Sequence, residues 1–199
     1  MTGCDISIEM VNKAKVKSSK VVWETADAAN LPFKSLSFDG ITCTLAIHHF
    51  SDLFLAFQEA YRVLVNGRFV ILTSSPNQMK TYWLNEYFPK AMEKSITQMP
   101  DVVEVGSILQ SVGFRVVGFE TFLVQPDLQD FFLYSGKHEP SMYLNEEVRS
   151  GISTFAHLAS KEEIDSGCKR LKEDIETNRI EQVLNEYSSI NGDYVFVIA

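Results

Sequence analysis

The sequence predicts an α/β fold with a mostly parallel sheet. Three observations lead to this prediction. Short apolar runs alternate with helical patterns over residues 1–75. Apolar residues make up 45% of the 199-residue chain and charged residues 22%, which is typical of a globular protein with its own core and excludes a mainly disordered chain. A chain of 199 residues is long enough for one domain to bury its own core, and no internal repeat is present, so we expect one domain over residues 1–199.

Residues 1–75 hold the clearest pattern. Ser7 is predicted to cap a first helix. Residues 52–64 are predicted to form a second, amphipathic helix. Glu59 and Arg62 on this helix are interpreted as a surface ion pair that contributes little to stability. The sequence predicts a tight turn at 66–67 in which Gly67 adopts a positive φ. Strand signals lie at 3–6, 21–25, 38–45 and 68–73. The third strand is apolar enough to be covered on both faces.

The rest of the chain is predicted in two parts. Residues 76–101, rich in aromatic residues and methionine, are interpreted as a helical insertion interrupted at Pro89, which is either core or a lid over an apolar substrate. Residues 102–199 supply the remaining sheet and its helices, and Gly113 closes the first of these helices. In this part the helices are predicted at 102–112, 144–150, 161–175 and 180–187, and the strands at 115–124 and 194–198.

Composition excludes several classes of function. The net charge of −8 argues against a nucleic-acid partner, because a protein that binds phosphates needs a basic surface. No apolar run approaches the roughly 20 residues of a membrane span, and we expect no signal peptide. An odd number of cysteines without metal-ligand spacing predicts reduced thiols in a cytoplasmic protein, with Cys43 inert inside its strand. The cysteines are Cys4, Cys43 and Cys168.

Polar residues follow all four predicted strands at the end where parallel sheets bind ligands. Asp5, Asp27, residues 44–49 and residues 74–75 occupy these positions. One acid can accept two hydrogen bonds from a ribose diol, and a second acid on the neighbouring strand can accept from an adenine amino group. Such a pair suits a nucleoside better than a phosphate-rich ligand, because anions repel anions.

Five ordered motifs resemble the class I S-adenosylmethionine-dependent methyltransferases, in their small-molecule, type 11-like branch. The motifs are GCDIS at 3–7, ADAANLPF at 26–33, SFDGI at 37–41, AIHHF at 46–50 with Asp52, and EAYRVL at 59–64 leading to Gly67. The resemblance implies a Rossmann-like sheet of order 3-2-1-4-5-7-6 with an antiparallel last strand. It also implies methyl transfer from S-adenosylmethionine to a small molecule, which the sequence does not identify.

The resemblance implies cofactor-binding roles for four residues of the first two motifs. Asp5 would hold the ribose hydroxyls and Ile6 would pack on the adenine face. Asp27 would accept from the adenine amino group, with the Ala28 backbone N–H beside it. Two structural alternatives stay open: Asp5 favours the start of the first helix through its dipole, and Asp27 is an ordinary turn acid.

Residues after the third strand would lie at the reactive end of the cofactor. By the resemblance, Thr44 and Leu45 line the sulfonium end, and His48 and His49 are candidate substrate-facing residues. Adjacent histidines on a strand cannot both point inward and no third ligand is evident, so we expect no metal site. One histidine packs structurally and the other lines the pocket, where a general-base role stays possible.

The chain departs from the family pattern at one point. A glycine-rich loop after the family's first strand should precede Gly3, and no other stretch of this sequence replaces it. We therefore expect an N-terminally truncated sheet whose pieces either close up or leave a bare edge, with a tendency to form homodimers. Activity of the chain is thus open, and the alternative is an inactive methyltransferase remnant that acts as an interaction or dimerisation module.

Overall fold

The computed structural model describes residues 1–199 and contains two β-sheets. The strands are β1 (Thr2–Asp5), β2 (Val22–Thr25), β3 (Ile41–Thr44), β4 (Phe69–Thr73), β5 (Gly118–Phe122) and β6 (Tyr194–Ile198). β1 and β2 form a two-stranded sheet, and the other sheet has the order β3-β4-β6-β5. The α/β fold class is confirmed, and each predicted strand is present with bounds shifted by a few residues.

Helices connect the strands at nearly all the predicted places. They are α1 (Ile8–Lys17), α2 (Leu53–Val63), α3 (Pro76–Lys80), α4 (Leu84–Tyr87), α5 (Pro89–Gln98), α6 (Val102–Val112), α7 (Glu146–Ser150), α8 (Lys161–Glu176) and α9 (Ile180–Glu186). Short 3₁₀ helices lie at Ile47–His49 and Pro140–Leu144, and a π-helical turn lies at Thr154–Leu158. Pro89 begins α5, where a missing backbone N–H is tolerated, so the predicted interruption is confirmed. No helix has the length and apolar character to cross a bilayer.

The first of two compact units holds the parallel pairing. It comprises Met1–Ile71, Val102–Gly118 and Val197–Ala199. β1 and β2 run parallel, with Asp5 opposite Thr25. Phe69 and Ala199 exchange backbone hydrogen bonds of 2.8 and 3.0 Å, the pattern of an antiparallel pair, so the predicted antiparallel last strand is confirmed.

Two helices cover the core of the first unit. α2 and α6 pack together, and Phe57 and Leu109 on their inner faces are fully buried. Asp52 begins α2 by accepting a hydrogen bond from the Leu55 N–H at 3.0 Å, and Gly113 ends α6 with φ of 119°. Phe69 of β4 joins this core through an edge contact with Phe57, at 5.7 Å between ring centroids.

The edges of β1 and β3 are unpaired. β1 pairs only with β2, and β3 pairs only with β4, so no strand of the chain lies between β1 and β3. The expectation that β3 is covered on both faces is wrong. Thr42 and Thr44 lie on the same face of the strand, and both are exposed. A strand at the edge of a sheet exposes the face and the backbone groups that a neighbour would have covered.

The second unit, Leu72–Asp101 with Phe119–Phe196, has an aromatic core. Trp83, Tyr87 and Phe88 are almost fully buried in it, and Phe88 meets Phe155 edge-on at 4.9 Å between ring centroids. These side chains therefore form the core of the second unit, and a lid role for residues 76–101 stays a prediction. The division of the chain at residues 76–101 and 102–199 stays a prediction.

The turn at 66–67 needs glycine for a reason other than the one expected from the sequence. The glycines with positive φ are Gly113 and Gly192, and Gly67 is not among them. A Cβ on Gly67 would instead lie 1.5 Å from the backbone oxygen of Asp39. Close approach of two backbone segments, and not backbone conformation, excludes a side chain here.

We expect Gly67→Ala to lower the free energy of unfolding by about 2 kcal/mol or more, because backbone on both sides must shift to admit the methyl group. Urea denaturation measures the change. Gly40→Ala is the matched control: its Cβ would meet the Arg68 oxygen at 3.7 Å, an ordinary contact, so we expect a change within about 0.5 kcal/mol. Equal effects of the two substitutions would contradict the close approach.

Candidate functional site

Parallel pairing brings the ends of β1 and β2 to the same edge of their sheet. Asp5 is the last residue of β1 and lies opposite Thr25, the last residue of β2. The Ala26 N–H donates to the Asp5 backbone oxygen at 3.0 Å, which extends the pairing one residue further. Asp27 follows directly, so two carboxylates stand at this edge.

The Asp5 carboxylate serves the following turn with one oxygen. Its Oδ1 accepts from the Ser7 N–H at 2.8 Å, and the Ser7 hydroxyl accepts from the Met10 N–H at 3.3 Å, which confirms Ser7 as the cap of α1. The second Asp5 oxygen has no hydrogen bond within the chain, and the residue is exposed. Ile6 beside it has 70% of its surface exposed. Asp5 therefore supports the turn that leads into α1 and still leaves one carboxylate oxygen free.

Asp27 repeats this arrangement on the neighbouring strand. Its Oδ1 accepts from the Ala29 N–H at 2.9 Å, and its backbone oxygen accepts from Asn30 at 3.0 Å. The second carboxylate oxygen has no hydrogen bond within the chain, and the residue is exposed. Ala28 packs against the core of the first unit, and its backbone N–H has no acceptor within the chain. The edge thus offers two carboxylate acceptors and one backbone donor.

The segment after β3 has a different shape from the one expected. Thr44 ends the strand and is exposed, whereas Leu45 is partly buried and has φ of 50°, in the left-handed region. The 3₁₀ helix Ile47–His49 follows, so His48 and His49 lie beyond the end of β3, as expected, but on a helical turn that the sequence did not indicate. A left-handed residue turns the chain out of the strand direction, and this turn is not visible in an apolar sequence pattern.

His48 and His49 face each other at 3.9 Å between ring centroids. His48 Nδ1 is buried without a hydrogen-bond partner, whereas His49 is exposed. Burial, with a smaller contribution from the charge of His49, lowers the pKa of His48 to about 4. His48 is therefore neutral at physiological pH, as a packed histidine would be. No three metal-ligating side chains come together anywhere in the chain.

Arg62 and Glu59 do more than the surface ion pair expected from their spacing. The guanidinium contacts both oxygens of Glu59, at 2.6 and 2.7 Å. It also donates to the backbone oxygens of Phe33 at 2.8 Å and Leu31 at 3.1 Å, and Glu59 accepts from the Leu31 N–H at 2.8 Å. This clamp fixes to α2 the loop that follows Asp27. The i, i+3 spacing could not show it, because the partners are backbone groups about 30 residues away.

Comparison with known proteins assigns the chain to a family. Residues 1–72 match the family described as methyltransferase domain. A putative methyltransferase from an antibiotic biosynthesis pathway of Anabaena variabilis has a similar solved structure, with 32% identity and a TM-score of 0.85, covering 100% of this chain and 80% of that one. The chain belongs to the class I S-adenosylmethionine-dependent methyltransferases. The predicted family is therefore confirmed.

Curated relatives of this methyltransferase chain match more weakly. A demethylmenaquinone methyltransferase of Porphyromonas gingivalis is 27% identical over 141 residues, which is 58% of this chain and 58% of that protein. One of the same description from Thermotoga maritima is 37% identical over 83 residues, 41% of this chain and 36% of that protein. The chain thus spans less than two thirds of the length of these relatives. S-adenosylmethionine is the cofactor that defines the family.

We expect Arg62→Lys to loosen residues 31–37, because an ammonium cannot hold both Glu59 oxygens and two carbonyl oxygens together. Lys34 in this loop is exposed, so trypsin should cut after it on the order of tenfold faster than in the unchanged methyltransferase chain. Mass spectrometry of timed digests measures this rate.

Arg68→Lys is the control, since Arg68 is exposed and its side chain makes no hydrogen bond, so cleavage after Lys34 should be unchanged in it. Cleavage at an unchanged rate in Arg62→Lys would refute the clamp.

Proposed function

We propose that this chain binds S-adenosylmethionine at the edge formed by Asp5 and Asp27 and transfers its methyl group to a small organic molecule. The observation that carries the proposal is the pair of free carboxylate oxygens at the ends of two hydrogen-bonded parallel strands. Family membership supplies the cofactor, and the names of the relatives, quinone methyltransferases among them, support a small-molecule acceptor.

The groups at the edge fit the nucleoside part of the cofactor. Ribose hydroxyls and the adenine amino group are donors, and each free carboxylate oxygen is an acceptor. The Ala28 N–H is a donor that matches a ring nitrogen of adenine, and the exposed Ile6 side chain offers an apolar face to the base. In our proposal Asp5 holds the ribose, whereas Asp27 and Ala28 hold the adenine.

The bound cofactor supplies a methyl group on an electron-poor sulfonium, so the protein's part is mainly to hold the reactants in line. We assign the sulfonium end to Thr44 and Leu45. His48, with its lowered pKa, is too weak a base to take a proton at neutral pH, so we assign it a packing role. The exposed His49 is then the member of the pair that faces the acceptor.

Calorimetric titration with S-adenosylhomocysteine, which is stable in solution, tests the proposal. We expect micromolar binding by the unchanged chain and a loss of about tenfold or more in Asp5→Asn and in Asp27→Asn, because each amide lacks the charge that strengthens the hydrogen bond. Asp39→Asn is the control, because Asp39 is exposed and its side chain makes no hydrogen bond. No heat at millimolar ligand would contradict the proposal.

A second candidate function rests on the unpaired edges of β1 and β3. Exposed edges present free backbone groups on which another strand can pair, so an interaction or dimerisation module is the alternative to catalysis. We also propose a cytoplasmic location, because none of the three cysteines forms a disulfide.

Light scattering between 5 and 500 µM, a range chosen to bracket weak association on the order of micromolar affinity, tests the second candidate. We expect a homodimer that Thr42→Lys weakens, because a lysine on the exposed face of β3 opposes pairing at that edge. Gln110→Lys adds the same charge on the exposed side of α6 and should leave the dimer intact. A monomer throughout the range would exclude this function for the chain.

A further inference from the structure

A cavity of about 270 Å³ lies within the second unit. Tyrosine and tryptophan side chains form much of its wall, and two of them, Tyr82 and Tyr134, stack at 3.9 Å between ring centroids. The tyrosine and tryptophan residues of the wall are Tyr82, Trp83, Tyr134 and Tyr187. A cavity of this volume suits a small ligand.

Two buried polar atoms of this cavity's lining residues have no hydrogen-bond partner. They are Trp83 Nε1 and Tyr134 Oη, on side chains exposed by 3% and 1%. In the whole chain only one other buried side-chain atom, His48 Nδ1, shares this condition. An unsatisfied buried polar group costs about 1–3 kcal/mol, so two beside one cavity call for an explanation.

The other buried polar groups around the cavity are already paired. The Tyr143 hydroxyl donates to the Leu133 oxygen, so the Tyr82 hydroxyl must be the donor in their 2.7 Å hydrogen bond. Gln78 uses its amide on the oxygens of Asn191 and Tyr194. Trp83 and Tyr134 are therefore the residues with unused capacity, and the indole N–H is a donor only.

The lysine and the carboxylate that line the cavity neutralise each other, and His138 in the same lining uses its Nε2 on the Val124 backbone oxygen at 2.8 Å. Lys137 and Asp193 form an ion pair at 2.7 Å, and the Val124 N–H donates to the same Asp193 oxygen at 2.8 Å. Burial raises the pKa of Tyr134, so the phenol keeps its proton at neutral pH. The Ser74 hydroxyl near it donates its own proton to the Asp193 backbone oxygen at 3.0 Å. A charged ligand would find no counter-charge that is not already paired.

We propose that this cavity is a binding site for a small, neutral, planar aromatic molecule with a hydrogen-bond acceptor such as a carbonyl oxygen. The rings of the wall receive the planar body, and the Trp83 N–H and Tyr134 O–H donate to the acceptor. The site consists of residues of the second unit alone. It goes beyond the proposed methyl transfer and does not depend on it.

A nitrogen-15 NMR titration with 1-indanone, in the absence of S-adenosylmethionine, tests this site. The chain has two tryptophans, and the Trp23 indole already donates to the Ser18 oxygen at 3.3 Å. We expect the Trp83 indole cross-peak to move downfield as it gains an acceptor, while the Trp23 cross-peak stays in place. Indane, which has the same bicyclic frame without the carbonyl, should bind at least tenfold more weakly.

Tyr134→Phe removes one donor with little risk to the fold, because its hydroxyl is unpartnered. We expect it to weaken 1-indanone about tenfold and to leave indane unchanged, whereas Tyr61→Phe in the first unit affects neither. No movement of the Trp83 cross-peak, equal affinity for the two ligands, or equal affinity of Tyr134→Phe and the unchanged chain would each overturn the site. Binding of 1-indanone without binding of S-adenosylhomocysteine would support the site while contradicting methyl transfer.

Discussion

The parallel pairing of β1 with β2 is the constraint on which the proposed cofactor site depends. Parallel strands end on the same edge, so the register that sets Asp5 opposite Thr25 also brings the Asp27 turn beside it. A shift of one residue would turn every side chain of β1 to the other face. Each aspartate stabilises its own turn with one oxygen and leaves the other open, so the same residue serves local folding and ligand binding without conflict.

The Arg62 clamp extends this order to the loop that follows. Residues 31–35 have no regular structure, yet backbone groups of Leu31 and Phe33 are bound to side chains of α2. α2 is itself held by the core through Phe57 and Ala60. A rigid helix thus fixes the loop beyond Asp27, which limits the conformations that the carboxylate turn can adopt.

The sequence was sufficient to predict the fold class, the family and the order of the elements, because apolar periodicity and ordered motifs report these directly. It was sufficient to place Asp5 and Asp27 at strand ends, and the Ser7 cap was correctly predicted. It did not predict the Arg62 clamp, the left-handed Leu45 or the close approach at Gly67, because these depend on backbone groups distant in sequence or on local turns. The sequence also did not predict the cavity lined by Trp83 and Tyr134, since an aromatic-rich segment does not indicate which polar atoms lack hydrogen-bond partners.

The central claim is that the Asp5 carboxylate recognises a ribose diol. Calorimetric comparison of adenosine with 2′,3′-dideoxyadenosine tests this most directly, because the two ligands share the base and differ only in the hydroxyls. The account predicts that the unchanged chain binds adenosine at least tenfold more tightly and that Asp5→Asn removes most of this difference. Equal affinity for the two nucleosides, or a difference that Asp5→Asn leaves intact, would contradict the account.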